Sequence, residues 1–255
     1  MDRENTQELK CRDEAKYYNE AKYHGEIKYR NEIKYRCSEQ ELCLIEHRIR
    51  HLCRPDPHAG DNGRYTVRSV YFDDYQDSCY YENEAGVNLR EKFRIRIYNG
   101  STDNITLECK QKQNGKNHKL SCRLTVEQCR SILEGSFRLN ADSPPLLQQF
   151  FLLYRTRLYR AKVIVEYERV PYIYETGNVR ITLDRNISAT SKVQDFLQNR
   201  LFTRPVMPVG MHLLEVKYDE LLPNYLYNEL QVDNLHQTAY SKYYVCRKFT
   251  KDLFG

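Results

Sequence analysis

The 255-residue chain carries 40 Lys and Arg against 35 Asp and Glu, a formal net charge of +5, with 22 Tyr, 9 Cys and no Trp. So mild an excess of positive charge demands neither a nucleic-acid nor a membrane partner, and the placement of the charges says more than their sum. No segment reaches the ~20 apolar residues that span a bilayer, the charged N-terminus lacks the apolar core of a secretory signal, and the odd number of cysteines without a C-x-x-C pair points to free thiols in a reducing compartment, so a cytoplasmic location is expected.

The chain opens with a repeat. In "EAKYYNEAKYHGEIKYRNEIKYRC" (14–37) the block E-[AI]-K-Y recurs four times, six residues apart. An even period keeps every Glu and Lys on one face of a strand, whereas six residues of helix advance ~600° and scatter the copies around the axis. A helix follows: Ser38 and Glu41 form a capping box, with Leu42, Ile45, Ile49 and Leu52 at helical spacing. "PDPHAGDNG" (55–63) is a loop on its Pro and Gly content.

Strand-like runs come next. "YTVRSVYFDD" (65–74) is β-rich, "NLREKFRIRIYNG" (88–100) alternates strictly and ends in a turn signal, and "NITLECKQK" (104–112) completes a hairpin with it. "NGKNHKLSCRLT" (114–125) holds a further turn and strand. "TVEQCRSILEG" (125–135) is a short helix stopped by Gly135, and "SPPLLQQFFLLYRTRL" (143–158) is a helix with Pro near its start. "AKVIVEYERVPYIY" (161–174), "VRITLDRNIS" (179–188) and "HLLEVKYDE" (212–220) are strands, and "LPNYLYNELQVDNL" (222–235) and "YSKYYVCRKF" (240–249) read as helical. Roughly eight antiparallel strands with short helices describe a β-barrel or strongly curved sheet with flanking helices. There is no G-x-G-x-x-G or Walker sequence.

Alternation places Arg90, Lys92, Arg94 and Arg96 on one face of their strand. A solvated face normally mixes signs, so a row of cations without an anion suits a face along which a polyanion lies. Glu108-Cys-Lys110 and Glu215-Val-Lys217 each put a carboxylate and an ammonium on one face. Tyr167 and Arg169 share a face opposite to Glu166 and Glu168, while Arg180, Thr182 and Asp184 share another. Arg forks match phosphate oxygens and Lys acts as a point charge; carboxylates serve hard divalent cations. Together they describe phosphoryl transfer by positioning and charge neutralisation. His47 and His51, i and i+4 on a helix without a third ligand, read as a solvated helix face, and "FDD" (72–74) as a strand end.

"RNEIKY" (30–35), "VRSVYFDD" (67–74), "REKFRIRIYN" (90–99), "LECKQK" (107–112), "VEYERVPY" (165–172), "VRITLD" (179–184), "LLEVKYDELLP" (213–223) and "SKYYVCR" (241–247) stand in an order that resembles the VTC polyphosphate polymerase domain. That family is a branch of the triphosphate tunnel metalloenzymes. The resemblance implies an α+β fold built on an eight-stranded antiparallel tunnel barrel. It implies transfer of the γ-phosphoryl group of ATP onto inorganic polyphosphate, with Mn²⁺ ahead of Mg²⁺ as the metal.

Carried over motif by motif, the resemblance makes Lys34, Arg94, Arg96, Lys110, Arg169, Arg180 and Lys242 the catalytic cations. Arg68, Arg90, Lys92, Tyr167, Lys217 and Ser241 become substrate contacts, and Glu215, Glu32 and Glu108 carboxylates for the metal. Arg30 stands where the wider superfamily's E-x-E-x-K signature has its first glutamate, which favours the VTC branch over the triphosphatase and cyclase branch.

The resemblance implies ATP and polyphosphate or pyrophosphate as ligands and no nucleic acid. With no SPX-like domain or membrane segment visible, it fits the stand-alone, bacterial-type version, with a membrane partner left open. Two alternatives stay open: a triphosphatase of the same fold with water as acceptor, and a silent polyphosphate-binding domain.

Four copies of the repeat in one strand would run roughly 80 Å at ~3.3 Å per residue, far longer than a barrel wall. The last copy, Glu32-Ile33-Lys34-Tyr35, has Arg30 before it and a capped helix after it, and is assigned as the first strand. Residues 1–29 are a repetitive polar tail, and 30–255 one tunnel domain. Lys34→Ala is therefore expected to abolish ATP-dependent polymer formation in a gel assay, while deletion of residues 1–29 leaves it intact. The reverse result would mean that another copy supplies the working lysine.

Overall fold

The fold is described from a computed structural model, over residues 30–60, 62–232 and 235–254. The reading of residues 1–29 as a tail lies outside these. β1 (Asn31–Ser38) runs into α1 (Glu39–Ile49). There Ser38 Oγ accepts from the Glu41 N–H and the Glu41 carboxylate accepts from the Ser38 N–H, the capping box expected from the sequence. β2 (Arg54–Pro55) is a short pairing with the later β7 (Arg160–Tyr174). β3 (Tyr65–Asp73), α2 (Ser78–Glu84), β4 (Arg90–Tyr98), β5 (Ser101–Gln113) and β6 (Lys116–Leu124) follow. Both turns of the β4–β5–β6 meander are Asn-Gly pairs, Asn99-Gly100 and Asn114-Gly115, with positive φ at each residue. That is the geometry in which a two-residue turn matches strand twist.

α3 (Val126–Glu134) ends on Gly135 in the left-handed region, and α4 (Pro145–Thr156) begins just after Pro144. Then come β7, β8 (Val179–Thr190), the two-residue β9 (Arg204–Pro205), β10 (Met211–Tyr218), α5 (Asn224–Glu229) and α6 (Lys242–Phe254). The helix read over 222–235 is thus only a short piece, closed by Leu230 N–H donating to the Tyr227 carbonyl. Conversely, α2 gave no helical signal: it starts from Asp77 in the left-handed region, without a side-chain cap.

All strand pairs are antiparallel, and the eight long strands take the order β1-β10-β8-β7-β3-β4-β5-β6. The sheet curls until its two edges meet. Arg30, just before β1, exchanges both main-chain hydrogen bonds with Asn117 of β6, each 3.0 Å. Further along that same edge of β1, opposite to β10, Thr238 N–H donates to the Lys34 carbonyl and Tyr35 bridges Gln237, so the segment before α6 lies beside this part of β1.

The outside of the curl is covered in two places. One core joins β3, β4, β5 and β7 to α3 and α4 through side chains such as Phe72, Phe93, Phe150 and Tyr154. A smaller one joins α1 to β1, β8 and β10 through Leu42, Ile45, Ile181 and Val216. Cys109 sits fully buried on this outer face, as its position between Glu108 and Lys110 predicts, and the cysteines among the described residues are free. No helix among the described residues is long and apolar enough to cross a membrane.

One buried carboxylate ties these layers together. Asp73, at the end of β3, accepts from the N–H groups of Asp74, Cys79 and Tyr80 and from the Tyr243 hydroxyl. It pins the start of α2 and the first turn of α6 to the sheet. Asp73→Ala would leave these donors unsatisfied in a site with no access to water. Such a loss is expected to cost ~3 kcal/mol or more, seen as a lowered urea midpoint at unchanged m-value.

Candidate functional site

Residues directly opposite in an antiparallel ladder share a face, so the register defines the inner wall. Lys34 faces Glu215 and Thr182; Asp184 faces Arg169 and then Tyr65; Ser69 faces Arg96; Tyr71 faces Arg94, Glu108 and then Ser121; Lys92 faces Lys110 and Lys119. The all-cation face of β4 and the E-x-K faces of β1, β5 and β10 therefore point into one space, and cations outnumber carboxylates there.

Four buried carboxylates organise this lumen. Glu32 lies 2.8 Å from Lys34 Nζ and 2.5 Å from Lys110 Nζ, the second contact crossing the seam from β1 to β5. Glu215 holds Lys217 at 2.5 Å and stands 3.7 Å from both Lys34 and Lys242. Asp184 takes a two-pronged bond from Arg169 at 2.6 and 2.7 Å, and Lys242 Nζ at 2.6 Å. On the facing wall Glu108 accepts from Arg94 at 2.6 and 2.7 Å, with Lys119 at 3.3 Å and Arg96 at 3.7 Å. Arg96 also donates to Ser69 Oγ at 3.1 Å, and Arg94 to the Tyr71 hydroxyl at 3.0 Å. Tyr167 offers its ring to Lys242 and Arg169, with the cations 4.9 and 5.2 Å from its centroid.

The balance of burial and charge splits the titrating groups. Burial and Glu215 push the Glu32 carboxyl up, but Lys34, Lys110 and Lys217 outweigh them and hold it well below the ordinary range. Glu215 and Glu108 are likewise held far down against their burial, by lysines and Arg169 in one case and by Arg94 and Arg96 in the other. Lys92 is different. It donates to two neutral oxygens, Asn83 Oδ1 at 2.6 Å and Ser241 Oγ at 3.0 Å. Burial and the neighbouring Arg90 bring it down to about 7. Lys110, despite Glu32, is lowered to about 8, by burial first and by Lys34 and Lys217 next.

The lumen thus gathers Lys34, Lys92, Arg94, Arg96, Lys110, Arg169, Lys217, Ser241 and Lys242 with the ring of Tyr167. Ser241 and Lys242 enter from the start of α6. Arg90 lies on the same wall but is turned to the carbonyls of Glu82 and Asn83 at the end of α2. Arg180 is on the inner face at the rim, donating to Asp56 at 2.8 Å and to the Tyr65 hydroxyl at 3.0 Å. Arg68 does not join them. It projects from the opposite face of β3, buried against Glu166 at 2.6 Å and the carbonyls of Phe196 and Gln198.

The three carboxylates assigned to a metal separate as well. Glu32 and Glu215 share Lys34, whereas Glu108 is saturated by the cations of β4 and β6 across the lumen. Among the described residues no group of three or more His, Cys, Asp or Glu side chains could hold a metal ion. Asp184, Lys119, Ser69 and Tyr71 complete the wall and were not singled out from the sequence. Asp184 alone had a signal, its shared face with Arg180.

The VTC domain family matches residues 29–251. Among solved structures, the Hippeastrum protein HpAC1, an adenylyl cyclase candidate whose dominant activity is that of a triphosphatase, superposes with a TM-score of 0.50. It is 13% identical, over 87% of this chain and 96% of that one. A Bacillus halodurans adenylate cyclase candidate (TM-score 0.46, 14% identity, 79% and 87% covered) and PH1819 from Pyrococcus horikoshii OT3 (0.45, 15%, 88% and 99%) are also similar. No curated protein matches. The curled antiparallel sheet with its flanking helices is the triphosphate tunnel fold, and the chain belongs to the VTC domain family.

Proposed function

We propose that this chain is a polyphosphate polymerase that moves the γ-phosphoryl group of ATP onto a growing inorganic polyphosphate chain inside the lumen. The observation that carries this reading is the inner wall itself, in a member of the VTC family: rows of Arg and Lys from β4, β5, β7 and β10 face one another, with Lys34 and Lys242 between them. A triphosphate threaded there exchanges the internal carboxylates for its own oxygens. Arg94, Arg96 and Arg169 offer planar forks to phosphate, and Lys34, Lys110, Lys217 and Lys242 offer point charges. The acceptor, a terminal phosphate, is already an anion, so positioning and neutralisation suffice and no general base is required.

Glu32 and Glu215 fit a hard divalent cation of the kind that takes one or two carboxylates and completes its shell with substrate phosphates and water. Mn²⁺ or Mg²⁺ held there would supply further neutralisation of the transferring group. ATP, polyphosphate and pyrophosphate are the ligands of this reading, and the cytoplasm its setting.

Incubation of the purified protein with ATP and Mn²⁺, followed by gel detection, is expected to give long-chain polyphosphate and ADP. Arg96→Ala and Glu215→Ala are each expected to lower this at least ~100-fold while far-UV circular dichroism stays native. Free phosphate without polymer would instead support the triphosphatase reading. Binding without turnover would support a silent polyphosphate-binding domain.

Lys92 gives the reading a pH signature. Its folded value of about 7 lies below the ordinary lysine value of 10.5, so the unfolded chain binds more protons between these limits. Its contribution to stability therefore rises with pH across that window. Anion binding favours the charged form and takes up a proton. Tripolyphosphate affinity is expected to fall up to ~10-fold between pH 6 and 8.5, and Lys92→Met to lessen that slope in calorimetric titrations, with Lys110 at about 8 carrying the remainder.

A further inference from the structure

The cations on the inner face of β4 are held in two different ways. Arg94 and Arg96 lie against the Glu108 carboxylate, at 2.6 and 3.7 Å. Arg90 and Lys92 are held instead by the C-terminal end of α2. Arg90 donates to the carbonyls of Glu82 and Asn83 at 3.4 and 3.2 Å, and Lys92 donates to Asn83 Oδ1 at 2.6 Å. The second oxygen on Lys92 is Ser241 Oγ at 3.0 Å, which also accepts from the Tyr244 N–H and so caps α6. Asn83 thus reaches a lumen ammonium from the end of a helix, and it was not singled out from the sequence.

Its position is fixed by the packing of α2. Asp73 binds the N–H groups of Cys79 and Tyr80 in the first turn. Asp77, just before the helix, binds Lys162 of β7 at 3.1 Å and Arg247 and Lys251 of α6 at 2.9 and 3.1 Å. Tyr80 stacks on Tyr244 with ring centroids 4.9 Å apart, and the Tyr244 hydroxyl donates to Glu84 at 3.0 Å. The two helices are locked together, and each delivers one neutral oxygen to the same ammonium. The groups that surround Lys92 are Arg90 on its own strand, Lys110 of β5, Lys34 of β1, the Cys79 thiol of α2 and the Tyr243 ring of α6, whose centroid is 5.7 Å from Nζ.

We propose that Asn83 is a positioning residue for the phosphate chain: together with Ser241 it holds Lys92 on neutral oxygens, and so keeps one lumen ammonium open to an incoming phosphate with no carboxylate to displace. This rests on the reading that the lumen takes up linked phosphates. A carboxylate pushed off its cation remains buried, short of a partner and facing the anion that replaced it. An amide and a hydroxyl pushed off Lys92 lose only a hydrogen bond between an ammonium and a neutral oxygen, and each can then donate to the phosphate. Asn suits this position and Asp does not. A carboxylate at position 83 would hold Lys92 as Glu108 holds Arg94.

Asn83→Asp, with inorganic tripolyphosphate as the probe in titration calorimetry, tests this. At pH 6 the affinity is expected to fall at least ~10-fold relative to the unaltered chain. Its decline between pH 6 and 8.5 is expected to shrink, because a Lys92 paired with a carboxylate stays charged across that range. In a Lys92→Met background the same substitution is expected to leave the pH slope as it is, which separates an effect through Lys92 from repulsion by a new carboxylate. Side-chain NMR without ligand, with the Lys92 signal assigned by its loss in Lys92→Met, is expected to show the titration midpoint moving up by at least ~1 pH unit in Asn83→Asp and down in Asn83→Ala. The alanine variant keeps the test decisive if the aspartate disturbs α2. An unchanged pH slope and an unchanged midpoint in these variants would overturn the proposal and leave the polymerase reading standing. The expected shifts in a protein that makes no polymer from ATP would support the proposal and overturn the polymerase reading alone.

Discussion

A lumen lined with cations cannot be assembled unless something inside neutralises it, and four carboxylates do so here. Taking an unpaired ammonium or guanidinium out of water costs several kcal/mol, and like charges on adjacent strands add repulsion. Glu32, Glu108, Asp184 and Glu215 each hold two or more cations, and each makes at least one contact that joins different strands or joins a strand to α6. The same pairs that let the barrel fold hold the lysines and arginines in place before any ligand arrives. The lumen is preorganised because it had to be neutralised.

That dual use explains which parts of the molecule are legible in the amino-acid sequence. β4 alternates without error, so Arg90, Lys92, Arg94 and Arg96 declare a shared face. Whether that face points inward follows only from what surrounds it. β3 is covered on both sides, with almost every residue buried, and its alternation is erased. Arg68 could not be assigned to a face from "VRSVYFD"; the motif resemblance made it a substrate contact, and its side chain lies on the face away from the lumen.

Asp184 and Lys119 were hidden for another reason. Each acts through a partner more than ten positions away along the chain, and strand register, invisible in a single sequence, brings the pairs together. The position of α6 depends on tertiary packing too. Only the motif resemblance, and no pattern of charge or periodicity near Ser241, announces that its helix begins inside the barrel, where Lys34 donates to the Tyr240 carbonyl at 2.8 Å. α2 escaped because it is short and begins from a left-handed residue, held by Asp73 rather than by a cap of its own.

The saturated state of the internal carboxylates has a consequence for ligand choice. Any anion that enters must displace a resident carboxylate from each cation it claims other than Lys92, so the lumen would behave as a fixed-bed ion exchanger. A lone phosphate trades one weak contact for another and gains little. A chain of linked phosphates trades many at once while paying the cost of immobilisation a single time. Selectivity for length then arises from charge density per molecule, without any group in the wall that measures length.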